Sequence, residues 1–285
     1  LYKIDLSSFK IEDHYKPLPE YDDSSLRAFH VDKKGNIWLG TINGLYILNP
    51  SSRELSLYKH SGTDPFSLPN NSIWEIYEDR QDNVWIGTYS GTLSYVNVNE
   101  NHAFRTYHTQ NSGLNYAPVS AFAEEQDYIW IGTEGYLFQY FPSTGQMKQT
   151  EAFHNNSIKS LALDGNGDLL AGTDNGLYVY HNDVTPLQHI IHDSRNIQSL
   201  TNNIIWNIFA DQEHNIWLGT DYGISMSRNN NALRYIPISQ ITGTGEGNQF
   251  YSMLRDTHGT YWFGGTNGLI RFTQPLGEEQ DAAWY

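Results

Sequence analysis

The stretch Asn83-Val84-Trp85-Ile86-Gly87-Thr88 decides the fold, because it returns along the chain. Related phrases are Asn36-Ile37-Trp38-Leu39-Gly40-Thr41, Tyr128-Ile129-Trp130-Ile131-Gly132-Thr133, Asn215-Ile216-Trp217-Leu218-Gly219-Thr220 and Thr260-Tyr261-Trp262-Phe263-Gly264-Gly265. A degenerate copy is Asp168-Leu169-Leu170-Ala171-Gly172-Thr173, with Leu170 in place of Trp. The Trp-equivalent positions 38, 85, 130, 170, 217 and 262 are spaced by 47, 45, 40, 47 and 45 residues. Repeats of about 40–50 residues, each holding several short strands, point to the blades of a β-propeller.

Each repeat reads as four strands. Strand A is apolar and ends in an acid, as in Ile73-Trp74-Glu75-Ile76-Tyr77-Glu78-Asp79. Strand B carries the Trp. A turn with Gly at a fixed place follows, and three copies are Asn-Gly: Asn43-Gly44, Asn175-Gly176 and Asn267-Gly268. That pair suits a type I′ hairpin turn. Strands C and D follow, as in Leu45-Tyr46-Ile47-Leu48 and Glu54-Leu55-Ser56-Leu57-Tyr58. One blade cannot bury both faces of its sheet, but stacked blades bury each other's. The Trp is then expected to pack between blades, and the Gly-Thr step to let neighbouring sheets approach. No amphipathic helix is expected.

The expected layout is a propeller over residues 1–273: a strand pair within 1–15, then repeats beginning near 25, 72, 117, 157, 204 and 249. Residues 274–285 are expected to form a tail leading to a further domain. Pairing the N-terminal strands with the last blade closes a six-bladed ring with one strand C in excess; a seven-bladed ring is the alternative. The chain opens in mid-pattern at Leu1-Tyr2-Lys3-Ile4-Asp5 and reads as a piece of something longer.

Of the 285 residues, 17 are Lys or Arg and 32 Asp or Glu, a formal net charge of −15. Such a surface repels phosphate backbones and anionic membranes, so nucleic acid is not an expected partner. There is no Cys, which excludes disulfides, thiolate metal sites and Cys nucleophiles. No apolar run approaches the ~20 residues of a membrane span, and no signal peptide is visible.

The repeated phrase, an Asp, a short polar turn, Ile/Val-Trp-Ile/Leu-Gly-Thr and then Asn-Gly-Leu-Tyr, resembles the two-component regulator propeller repeats. So do Asp64-Pro65-Phe66-Ser67-Leu68-Pro69-Asn70-Asn71-Ser72-Ile73 and Ser199-Leu200-Thr201-Asn202-Asn203-Ile204, which look like that family's linker into strand A. The likeness runs from about residue 1 to 273. It implies the extracytoplasmic sensor region of a hybrid two-component system of the Bacteroidetes type. A periplasmic receptor of this kind recognises an oligosaccharide from polysaccharide breakdown and signals to a cytoplasmic histidine kinase. The resemblance further implies a homodimer in the parent receptor. Kinase and membrane segments lie outside this chain, so the fragment itself is expected to be no enzyme.

Strand direction alternates within a blade, so the D-to-A and B-to-C connections share one face. The A-to-B turns are short and alike, whereas the D-to-A connections differ in length and content. Diversity on a repeated frame marks the face free to take on function. Two residues into strand A stand Arg27, Trp74, Val119, Lys159, Trp206 and Tyr251, which differ widely in size and charge. Asn70, Asn71, Asn155, Asn156, Asn202 and Asn203 precede some of them. Aromatic faces stack on sugar rings, and amides and cations hydrogen-bond hydroxyls, so Arg27, Trp74, Lys159, Trp206, Tyr251, Asn71, Asn156 and Asn203 are the candidate ligand-binding set at the channel mouth. Arg27 and Lys159 suit a uronate or sulfate. The alternatives are turn-forming Asn residues and Trp rings that only pack between blades.

Other chemistry is not expected. Asp164-Gly165-Asn166-Gly167-Asp168 has the spacing of a calcium loop but falls in register with the other A-to-B turns, with Asn175 where a bidentate Glu belongs. Gly243-Thr244-Gly245-Glu246-Gly247 lacks the Gly-Lys-Ser/Thr ending of a phosphate loop. No cofactor, metal or catalytic residue is assigned. Three functions remain open: an oligosaccharide-binding sensor module, a structural or dimerising propeller without its own ligand, and a propeller-fold carbohydrate-active enzyme.

Overall fold

The computed structural model describes residues 2–5, 8, 10–14, 25–99, 103–150, 156–181, 186–196, 198–228, 233–236, 248–272 and 282–284. Asn155 and the Gly243–Gly247 connection lie outside them. The fold is an all-β β-propeller of six four-stranded antiparallel blades. The chain divides into two compact units, Leu1–Val119 and Ser120–Tyr285.

In the first unit, β1 (Tyr2–Ile4) and β2 (Ile11–His14) form a separate two-stranded sheet. The first blade is β3 (Leu26–Val31), β4 (Ile37–Thr41), β5 (Gly44–Leu48) and β6 (Leu55–Tyr58). The second is β7 (Ile73–Glu78), β8 (Asn83–Thr88), β9 (Leu93–Asn97) and β10 (Arg105–Tyr107), followed by a single helical turn, α1 (Thr109–Ser112). β3 packs on β7, and Trp38 is buried between the two blades with Ile73, Ile76 and Val84.

The remaining blades make up the second unit. Its first is β11 (Val119–Glu124), β12 (Ile129–Thr133), β13 (Leu137–Phe141) and β14 (Gln146–Thr150). Then come β15 (Ile158–Leu163), β16 (Leu169–Thr173), β17 (Gly176–Tyr180) and β18 (Pro186–Ile190). The fifth blade of the chain is β19 (Ile205–Ala210), β20 (Asn215–Thr220), β21 (Gly223–Arg228) and β22 (Leu233–Ile236). The last is β23 (Phe250–Arg255), β24 (Tyr261–Gly265), β25 (Gly268–Phe272) and β26 (Ala282–Trp284). Trp130 and Trp217 are buried against the following blade, as expected, with Ile158 and Phe250 respectively. The glycine of the repeated phrase is an approach point: a Cβ at Gly132 would sit 2.6 Å from Ile158 of the next blade.

Four A-to-B turns share one device. Asp79 Oδ1 accepts the backbone N–H groups of Gln81 and Asn83, while Oδ2 accepts the Asn83 amide at 2.9 Å and the Trp85 indole at 2.8 Å. Asp32, Asp211 and Asp256 hold Trp38, Trp217 and Trp262 in the same way. The recurrent acid and Trp are thus two ends of one clamp, whose carboxylate, buried at Asp32, Asp79 and Asp211 and half-buried at Asp256, accepts from its own turn and from strand B. Asp164 also accepts two turn N–H groups, from Asn166 and Asp168, so the calcium-like spacing serves the same turn. The third blade departs from the pattern. Its turn is one residue shorter, closing from Glu125 N to Tyr128 O, and the buried Trp130 indole N–H has no partner among the described residues.

Two expectations are corrected. The last blade takes its fourth strand from Ala282–Trp284, inside the stretch expected to be a tail, and not from the N-terminal pair. Left uncovered, the edge of β25 would present a row of unpaired backbone groups, and β26 pairs with it. The Asn-Gly turns are not type I′. That turn needs positive φ at both central residues, yet among the described residues only Arg53, Asp82 and His214 show it besides glycines. The positive φ falls on Gly176 alone (+96°), and the Thr173 hydroxyl steadies the turn by accepting from Asn175 N and donating to Gly176 O.

Candidate functional site

The start of strand A carries a feature absent from any simple strand pattern. In β3 and β4, Leu26 pairs with Thr41 and Ala28 with Gly40, which leaves Arg27 as an extra residue. The same bulge recurs at Trp74, Lys159, Trp206 and Tyr251. A bulge breaks the ladder locally and re-aims the side chain it carries. The five variable residues picked from sequence therefore share one backbone device at one end of their blades.

The third blade requires a correction. Val119 is fully buried and matches the buried Ile73, Ile158, Ile205 and Phe250. Ser120, five residues before the turn acid Glu125 as Trp74 is before Asp79, stands at the variable position. The shortened A-to-B turn displaced the count by one. The Ser120 hydroxyl bonds to Ile158 O of the next blade, so this position is structural.

The bulged residues form two clusters, one in each unit. In the first, the Arg27 guanidinium lies over the Trp74 ring, 4.9 Å from its centroid, and donates to Ser72 Oγ at 3.1 Å. Trp74 meets Tyr89 of the B-to-C turn at 5.6 Å between ring centroids. Tyr89 is exposed and Trp74 half-buried.

In the second unit, Lys159 Nζ lies 4.6 Å from the centroid of the Trp206 ring. Tyr251 meets the same ring edge-on at 5.3 Å. The Trp206 indole donates to Asp221 Oδ1 at 3.0 Å. Gln249 also donates to Asp221 and accepts from the Tyr251 hydroxyl. Asp221 and Tyr89 both follow the Thr that ends strand B, so each Trp is backed by the B-to-C turn of its own blade. Asp221 and Gln249 escaped the sequence reading because neither belongs to the strand-A series. The arrangement offers aromatic faces edged by a cation and fixed amide and carboxylate groups.

The asparagines serve the connections. Asn71 Oδ1 accepts His60 N at 2.7 Å, and Asn203 Oδ1 accepts His192 N at 2.6 Å. The two loops match further: His60 and His192 reach the carbonyls of Leu68 and Leu200, which are buried, and Ser67 and Ser199 close the loop base. Asn156 differs, donating its amide to the Tyr178 hydroxyl at 3.1 Å, and its carbonyl accepts Gly135 N. These residues shape the loops that deliver Trp74, Lys159 and Trp206 to their bulges.

The sequence pattern of the two component regulator propeller family matches residues 67–90 and 199–222, the two segments that run from these matching loops through Trp74 and Trp206. The extracellular domain of the hybrid two component system BT4673 from B. thetaiotaomicron is 61% identical over 94% of this chain, with a TM-score of 0.65. This chain spans 36% of that domain's length. The extracellular domain of the hybrid two component system BT3049 from the same organism is 19% identical over 93% of this chain and 48% of its own length, with a TM-score of 0.55. Virginiamycin B lyase from Staphylococcus aureus, at 12% identity over 94% of this chain and 86% of its own, has a TM-score of 0.68 and shares the fold alone. No curated protein sequence matches the chain.

Proposed function

Because the chain carries two component regulator propeller repeats, we propose that it is part of the extracytoplasmic, periplasmic sensor region of a hybrid two-component system. On this reading it binds an oligosaccharide from polysaccharide breakdown, and domains outside this chain pass the signal to a cytoplasmic histidine kinase. The fragment binds and does not catalyse, and the parent receptor is a homodimer. The observation that supports it most is the recurrent bulge. It brings a cation and an aromatic ring together twice at the start of strand A, as Arg27–Trp74, with Tyr89 of the B-to-C turn beside it, and as Lys159–Trp206 with Tyr251. Such groups suit the faces and hydroxyls of sugar rings.

The test is a thermal-shift screen against oligosaccharides from plant, host and microbial polysaccharides. A ligand at 100 times its Kd stabilises the fold by about 2.7 kcal/mol. Binding without turnover, weakened by Trp74→Ala or Trp206→Ala, supports the reading. Product formation would make the protein an enzyme, and silence across the panel would make this propeller a structural or dimerising element.

A further inference from the structure

The first unit also holds a cavity of about 320 Å³ lined by Gly91, Thr92, His108, Gln110 and Tyr116. It is at the small end of ligand sites. It is continuous along the chain with the cluster, since Tyr89, which touches Trp74, precedes Gly91 by two residues in the same B-to-C turn.

Its walls are built with some care. Gly91 has φ +72°, and a Cβ there would stand 2.4–2.5 Å from Asn115 O and the Tyr116 backbone. The D-to-A connection is thereby seated directly on the B-to-C turn, with Leu114 fully buried beneath it. The Tyr116 backbone is fixed, yet its side chain is 77% exposed, the most exposed large apolar group among the described residues. An aromatic ring held out on a clamped backbone loses little freedom when something stacks on it. His108 is oriented too. Its Nδ1 accepts Gln110 N at 3.3 Å, so in the neutral ring the proton sits on Nε2, a donor. The next turn is pinned by Asn111, whose Oδ1 accepts His108 N at 2.7 Å and whose amide donates to Thr106 O.

Resting on the sugar-binding reading above, we infer that this cavity is a second sugar subsite. A glycan whose one residue meets Trp74 and Arg27 extends past Tyr89 and lays a further, uncharged ring on Tyr116, with its hydroxyls toward His108 and Gln110. The first unit then reads chain length as well as ring chemistry.

Calorimetry with di-, tri- and tetrasaccharides from the same polysaccharide panel tests this. The expected result is an affinity gain on lengthening, up to about tenfold. Tyr116→Ala and Gln110→Ala should remove that gain and leave disaccharide affinity intact, and Tyr116→Phe should restore it. If the gain survives both alanine variants, or if length has no effect while Trp74→Ala still abolishes binding, the subsite is wrong and the sensor reading stands. Binding lost in Trp206→Ala but unchanged in Trp74→Ala also overturns the subsite. If no glycan binds the unaltered protein, both readings fall together. Both alanine variants alter exposed side chains, and unchanged melting temperatures without ligand would show that they fold.

Discussion

The Tyr261 hydroxyl donates to Asp211 Oδ2 at 2.7 Å, so strand B of the last blade is tied to the A-to-B clamp of the blade before it. Asp211 already accepts from Trp217, Asn215 and the Glu213 backbone. Hydrogen bonds to a buried charge contribute about 1.5–3 kcal/mol. Tyr261→Phe keeps the ring, which meets Trp217 at 4.8 Å between centroids, and removes only the tie. Chemical denaturation should show a loss within that range. A variant as stable as the parent would mean that the clamp does not depend on its neighbour.

Acid should find the same carboxylate. Burial pushes the Asp211 pKa up, but the hydrogen bonds from Trp217, Tyr261 and Asn215 outweigh it and hold the group below its ordinary value. A depressed folded pKa gives stability that is complete above the unfolded value, about 4, and is lost as pH falls through the folded one. Melting temperature followed from pH 5 to pH 2 should fall less steeply in Asp211→Asn than in the parent, from a lower start. Parallel acid limbs would exclude Asp211 as a source of the fall.

Two tryptophans in the same repeat position should answer differently to the same substitution. Trp85 donates to Asp79, whereas the buried Trp130 donates to nothing among the described residues. Trp85→Phe breaks a charge-assisted bond, while Trp130→Phe removes a donor that gained none on folding. The difference in stability loss should reach about 1–2 kcal/mol, with Trp85→Phe the worse. Equal losses would mean that the clamp adds nothing to packing.

Glu75, half-buried on β7, behaves oppositely to Asp211. Burial drives its pKa up to about 8, opposed only by the Ile76 backbone N–H. The folded state keeps this proton over a range in which the unfolded chain, with its value near 4.3, has lost it. Stability therefore falls as pH rises from about 4 to 8 and then levels off, by at most ~1.4 kcal/mol per pH unit and less for a carboxyl that still meets solvent. Glu75→Gln should flatten this slope and be the more stable form at pH 8. Superimposable pH profiles would show that Glu75 ionises freely in the fold.

The blades were legible because Trp38, Trp130 and Trp217 answer one requirement, burial against the blade that follows. Trp38 and Trp217 had to face the next blade, and they do. The site was legible only in part. Strand-A variability marked Arg27, Trp74, Lys159, Trp206 and Tyr251, but nothing in their identity announces a bulge, which is a property of pairing and not of one strand. The third blade was misread at Val119 because a turn shortened by one residue shifts the phase of all that precedes it. Asp221 and Gln249 belong to a turn and a connection, and they reach Trp206 only once the strands are paired. Asn71 and Asn203 looked like ligand contacts by composition, yet their side-chain oxygens close loops.

A residue on a bulge stands outside the two-residue alternation that commits every other strand position to one face of the sheet. Its side chain answers to no partner across the ladder, so exchanging it leaves the blade's register untouched. The same frame accommodates Arg, Trp, Lys and Tyr at that place. One blade's bulged residue can therefore change without shifting the pairing of its strands, and on the sensor reading proposed above each such change would alter the contribution of a single blade.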